Sequence, residues 1–182
     1  YHDIGKISNP QCFTENETSE IKYHAGLSPK ESAQDIIRHV SDGLAMADKH
    51  GLPDEIKSFI SSHHGTTCAA YFLTQYLNAG GDPEDTSAFY YDGVRPVTKE
   101  QVILMICDAV EAASRSLKNY SAESISALVD AIVDGKAKEN QFSDSNISLR
   151  ELSILRAEIK AYLQQMYHSR VSYPKRLSKT AK

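Results

Sequence analysis

The chain has 182 residues, 41% of them hydrophobic and 24% charged, with a net charge of -4. That length supports one domain with a real core, and the acidic balance argues against a broad DNA or RNA surface. No apolar run approaches the roughly 18 residues of a membrane span, and three cysteines with no CxxC pair read as reduced thiols, not a disulfide framework.

In chain order, "YHDIGK" puts His2, Asp3 and Lys6 within one helical turn. The stretch from Ser28 to Gly51 reads as one helix. Ser28 is its N-cap, Pro29 its first residue and Glu31 the partner in a capping box, with Gly51 as the stop. Pro53 opens a second helix that runs into "SSHHG" and ends at Gly65. "TCAAYFLTQYLNAGG" reads as a third, and "GGDPEDTSAFYYDGVRP" as an ordered loop with an aromatic patch. Thr98 with Gln101 caps the helix "KEQVILMICDAVEAASRSL". Ser121 begins another that reaches Lys138, and Ser148 with Glu151 boxes a last long one. No segment alternates with the period of a strand. The expectation is therefore an all-α single domain over residues 1–173, followed by a basic, loose tail over 174–182.

Histidines and carboxylates stand out along these helices. Asp108 shares a helical side with Val102, Met105, Ala109 and Ala112, where a bare carboxylate costs several kcal/mol unless something compensates it. His39 falls on the inward stripe with Ile36, Val40, Gly43 and Leu44. Taken alone it is a core residue; with partners it becomes a ligand. His63 and His64 are adjacent, and inside a helix their side chains would diverge by about 100°. At a helix end released by Gly65 they can converge. His2 and Asp3 complete a series in which HD, a mid-helix His, an HH pair and an inward Asp follow one another. Histidine and aspartate around open positions suit metal-assisted hydrolysis of phosphate esters.

In that order and spacing the motifs resemble the HD superfamily. More closely, they resemble the HD domain of seven-transmembrane, PgpH-type bacterial phosphodiesterases that cleave cyclic di-AMP. The segments that carry this are "YHDIGK", "ENETSEIKYHAGLSP", "IIRHVSDG", "LPDEIKSFISSHHGTT", "RPVTKEQVILMICDAVEAASRSL" and the closing "SLRELSILRAEIKAYLQQMYHSRVSYP". The resemblance implies an HD-domain helical bundle and two divalent ions, iron or manganese. One ion would be held by His2, Asp3 and Asp108, and the other by Asp3, His39, His63 and His64, with Asp3 bridging. It implies Lys6 as an aid to the phosphate or the leaving group, and linear pApA as the product.

The family takes one further His from a helix ahead of the HD pair, so the expectation is a bundle lacking that N-terminal helix and a first metal one ligand short. The family's ENQ and NPH segments read "ENE" and "KYH" here. His24, Lys99, Arg115 and Tyr90 are the candidate substrate contacts, Tyr90 with Tyr91 as residues that could stack on adenine, with Tyr71 and Phe72 as possible pocket walls and His50 and His168 as bystanders. The parent is expected to be an inner-membrane protein with this domain on the cytoplasmic side. The partner is cyclic di-AMP and no nucleic-acid polymer, with a homodimer as the assembly to consider. Two alternatives stand beside this: an HD phosphohydrolase acting on cyclic di-GMP or another nucleotide, and a non-catalytic cyclic-dinucleotide-binding module. The first is disfavoured because "HHGTTCAAYF" carries no GYP element.

Overall fold

The computed structural model describes residues 1–13, 16 and 22–168. The expected tail over 174–182, the end of the domain up to 173, and Glu15 and Glu17 of the "ENE" segment lie outside the described residues. Within them the chain is helical. In order it forms α1 (Pro29–Ile37), α2 (His39–Lys49), α3 (Asp54–Ser62), α4 (Ala70–Asn78), α5 (Lys99–Ser114), α6 (Ala122–Lys138) and α7 (Leu149–His168), preceded and interrupted by short 3-10 turns. The sheet content among the described residues is one isolated antiparallel bridge, Cys68 to Tyr90. None of the three cysteines is in a disulfide.

The helix starts fall where the capping residues stand. Ser28 accepts from the Glu31 backbone while Glu31 accepts from the Ser28 backbone, and Thr98 with Gln101 does the same for α5. Ser121 accepts from the Ser124 backbone at the head of α6. The second helix stops at Ser62 short of Gly65 and α5 at Ser114 short of Leu117, and two larger differences from expectation stand out. The stretch from Ser28 to Gly51 is not one helix but breaks at Arg38. The Ile36 carbonyl is taken by the ring Nδ1 of His39 at 2.6 Å, and the Asp35 carbonyl receives the Cys12 thiol at 3.9 Å. Side-chain donors thus enter the backbone ladder at the joint, and the helix breaks there. The third expected helix starts at Ala70 rather than Thr67. Thr67 and Ala69 instead pair with the loop, through Tyr91 N to Thr67 O at 2.9 Å and Ala69 N to Phe89 O at 2.8 Å.

Two apolar clusters hold the bundle. The larger joins Val102, Ile106 and Val110 of α5 to Ile125, Val129 and Val133 of α6 and to Leu152, Ile159 and Leu163 of α7. The smaller joins Ala33 of α1, Phe72 of α4 and Phe89 of the loop. Each large side chain so buried contributes about 1.5–3 kcal/mol by removal from water. On α5 the apolar residues recur at helical spacing on one side. Asp108, Glu111, Ala112 and Arg115 recur at the same spacing on another, and that side faces a cavity. The 3-10 turn Ile4–Ser8 packs on α2 through Gly5, so the start of the chain is carried onto the same cavity.

Candidate metal centre

His39 begins α2, His63 caps the end of α3, Asp108 projects from the middle of α5, and His2 with Asp3 leads into the Ile4–Ser8 turn. These five places meet. Asp3 Oδ1 lies 3.5 Å from His39 Nε2 and 3.6 Å from His63 Nε2. Asp3 Oδ2 lies 3.4 Å from His2 Nε2 and 2.9 Å from Lys6 Nζ. His2 Nε2 is 3.5 Å from Asp108 Oδ1. Two groups result whose ligand atoms all fall within 4.8 Å of one another: His39 with His63 and His64, and His2 with Asp3 and Asp108.

The hydrogen bonds behind the rings decide which nitrogen faces inward. His39 Nδ1 donates to Ile36 O at 2.6 Å and His63 Nδ1 donates to Ile60 O at 2.8 Å. A carbonyl can only accept, so each Nδ1 carries the proton and each neutral ring turns a lone pair inward on Nε2. Those two Nε2 atoms are 3.1 Å apart. Two lone pairs at that distance repel unless a cation sits between them. Asp3 Oδ1 is buried with no hydrogen-bond partner, an acceptor that costs stability unless something positive meets it. The donor set is imidazole and carboxylate, which suits first-row divalent metals. Carbonyl anchors behind metal-facing imidazoles are the usual support of such sites. The residues fit a metal centre.

The charges are set by the same contacts. Burial holds His39 below its ordinary value and His64 well below it, which keeps both rings neutral. His2 goes the other way. Its contacts with Asp108 and then Asp3 raise it to about 9. Burial pushes Asp3 up, but the His2 ring and the Lys6 ammonium beside it outweigh this and hold its carboxyl well below the usual carboxylate range. Two consequences follow in the metal-free protein. A protonated His2 contributes stability that is fully present below about pH 6.5 and is lost as pH rises through about 9. If a metal ion is held on His2 Nε2, that proton must leave, and affinity is then expected to climb with pH up to about 9. Calorimetric titration in buffers of different ionisation enthalpy should detect proton release at pH 7. A pH-independent affinity between 6.5 and 9 would contradict it.

The cavity beside the cluster measures about 400 Å³ and is lined by Asp3, Lys6, Phe13, Ile36, His39, His64, Tyr91, Asp108, Glu111, Ala112, Arg115 and Ser116. Lys6 also stands 4.9 Å over the Phe13 ring. Arg115 is at the rim, where its Nε and one terminal nitrogen donate to the two carboxylate oxygens of Glu111 at 2.9 and 3.0 Å.

Of the expected substrate contacts, only Arg115 lines this cavity. Lys99 is held by Glu151 at 2.5 Å, tying the start of α5 to that of α7. His24 lies in an adjacent cavity with Tyr71 and Phe72, sharing the Ile36 wall, and its Nε2 donates to Cys12 O at 2.8 Å. Tyr90 is 47% exposed and lines a separate cavity with Arg38 and His64, whereas Tyr91 is buried and stacks on His64 at 4.3 Å between ring centres. In an extended segment neighbouring side chains point to opposite sides, and Tyr91 is the one turned inward. Burial, then the nearby Asp108 and Asp3 charges, push the Tyr91 phenol up. Glu111, Ser116 and Phe13 were not singled out from the sequence. Glu111 at one turn past Asp108 carried the spacing that would have found it.

Residues 1–113 match the family model described as HD domain. The chain belongs to the HD-domain family. HD domains are metal-dependent, and this one has clustered His and Asp residues that could hold a metal ion. The HD domain is 36% identical over 179 residues to the cyclic-di-AMP phosphodiesterase PgpH of Bacillus subtilis, covering 98% of this chain and 25% of that protein. It is 34% identical over 174 residues to the PgpH of Listeria monocytogenes, covering 96% and 24%. The solved HD domain of L. monocytogenes PgpH in complex with cyclic-di-AMP superposes with a TM-score of 0.85 at 35% identity, over 95% of this chain and 79% of that one. The HD domain thus spans about a quarter of the length of the curated relatives it matches. Among the described residues no helix is long and apolar enough to cross a membrane.

Proposed function

We propose that this HD domain hydrolyses cyclic di-AMP to linear pApA, using two divalent transition-metal ions, iron or manganese. One observation carries the reading. The two carboxylate oxygens of Asp3 turn toward different partners, Oδ1 toward His39 and His63 and Oδ2 toward His2 and Lys6. A carboxylate so placed is suited to bridge two cations, one on His2, Asp3 and Asp108, the other on Asp3, His39, His63 and His64. The likeness to an HD domain solved with cyclic-di-AMP supports the choice of substrate.

Lewis-acid polarisation of a phosphoryl oxygen, and a water acidic enough to attack at neutral pH, are what a cation pair supplies at such a site. The chain's own residues do the rest. Water oxygen bonds to phosphorus, the bond from phosphorus to O3′ breaks, and O3′ must gain a proton. Lys6, on the cavity wall 2.9 Å from Asp3, holds an ammonium proton there for the leaving oxygen. Arg115 offers its guanidinium to a second phosphate at the rim, in exchange for Glu111. Tyr91 and Phe13 form apolar walls that hold His64 and His39 in place and limit water. In the parent protein the domain stands on the cytoplasmic side of a membrane-embedded remainder, consistent with the quarter of its relatives' length that it spans.

Parallel assays on cyclic di-AMP and cyclic di-GMP, with manganese- or iron-loaded protein, test the reading. The expected result is pApA from the first, at a kcat/KM about tenfold or more above the second. Faster turnover of cyclic di-GMP would replace the substrate. Tight binding of cyclic di-AMP without turnover by metal-loaded protein would replace catalysis with sensing.

A further inference from the structure

His63 and His64 hang from a turn whose support comes from far along the chain. Gln141, in the segment after α6, is 2% exposed. A buried carboxamide needs partners at both ends. Its Oε1 accepts from Thr66 N at 3.0 Å, and its Nε2 donates to Thr66 Oγ1 at 2.9 Å and to Glu139 O at 3.1 Å. Gly65, between His64 and Thr66, has φ +57°, and a Cβ there would lie 2.2 Å from Gln141 Oε1. Gln141 therefore fills the space beneath the left-handed residue and pins the residue after it. Thr67 closes the same turn, its hydroxyl donating to His64 O at 2.8 Å.

We propose that Gln141 is a positioning residue, which fixes the turn after α3 so that His64 joins His39 and His63 as a ligand. The proposal rests on the metal reading above. Gln141 acts through Thr66 and Gly65 and touches no ligand. The group formed by His2, Asp3 and Asp108 stands on other elements and is outside its reach. Without Gln141 the Thr66 N–H loses its acceptor, the turn relaxes, and the His64 ring leaves the face of Tyr91.

Gln141→Met keeps length and volume and removes the bonds. In the metal-free protein, ring-to-ring NMR contacts should show His64 detached from Tyr91, while the His2 to His63 contact, 5.1 Å between centres, persists. Titration with cobalt(II), followed by its visible absorption, should show one site weakened about 10- to 100-fold and the other retained. If Gln141→Met folds poorly, Thr66→Val removes one partner alone and should weaken the same site less. Gly65→Ala should weaken that site less in a Gln141→Ala background than in the natural chain, because the atom its Cβ strikes is gone. An intact His64 to Tyr91 contact with unchanged cobalt affinity in Gln141→Met overturns the proposal, as does equal weakening of both sites. If the natural chain binds no cobalt, the metal reading falls and the NMR contacts alone decide on Gln141.

Discussion

Asp3→Ala is expected to abolish hydrolysis and to strip both cations from the protein. Its carboxylate reaches both ligand sets, at 3.5 and 3.6 Å from the His39 and His63 nitrogens and at 3.4 Å from His2. It also holds Lys6 at 2.9 Å. Removing it takes the shared anchor from two sites at once and removes the carboxylate beside the Lys6 ammonium. Lewis-acid stabilisation of this kind supplies several kcal/mol to the transition state, and each ~1.4 kcal/mol is a factor of ten. The loss in kcat is therefore expected to be about a thousandfold or more. Elemental analysis should find the metal gone while the helical circular dichroism is unchanged, because Asp3 lies outside both apolar clusters. Full activity in Asp3→Ala would refute the bridging role.

Gly5→Ala is expected to damage stability and metal binding together. A Cβ at Gly5 would lie 1.8 Å from the His39 carbonyl oxygen and 2.5 Å from Gly43 N. Both are backbone atoms of α2 and cannot swing aside as a flexible side chain would. The Ile4–Ser8 turn must lift from the helix, carrying Asp3 away from His39. Overpacking of this kind costs about 1–3 kcal/mol, and the upper end is expected here. Gly43→Ala is the control. Its Cβ would lie 3.0 Å from Ile60 Cγ2 and 3.3 Å from Gly5 N, tight contacts that a shift of a few tenths of an ångström relieves, against the 1.8 Å overlap at Gly5. Urea unfolding should rank Gly5→Ala well below Gly43→Ala, and metal titration should show the same order. Equal stabilities would mean that the turn does not pack on α2 as described.

What the sequence disclosed follows from how local the cause is. Ser28 with Glu31 and Thr98 with Gln101 are caps made by residues three apart, so the helix starts were legible. The clustering of the candidate ligands was legible because imidazoles and carboxylates in inward positions demand a reason, and their order matched a known pattern. The break at Arg38 was not, because it depends on a ring bond to Ile36 O and on Cys12 from another segment. Tyr90 and Tyr91 could not be told apart without knowing which side of the extended loop faces His64. Lys99 had the chemistry of a phosphate contact but met Glu151 of α7 first. Gln141 carried no local signal, since its partner Thr66 is 75 residues away.

The most direct test of the central claim is a crystal grown with manganese and measured at the manganese edge. Two anomalous peaks are expected on either side of the Asp3 carboxylate, one touching His2 and Asp108, the other touching His39, His63 and His64. A single peak away from Asp3, or ions bound elsewhere with these side chains apart, would contradict a shared two-metal centre.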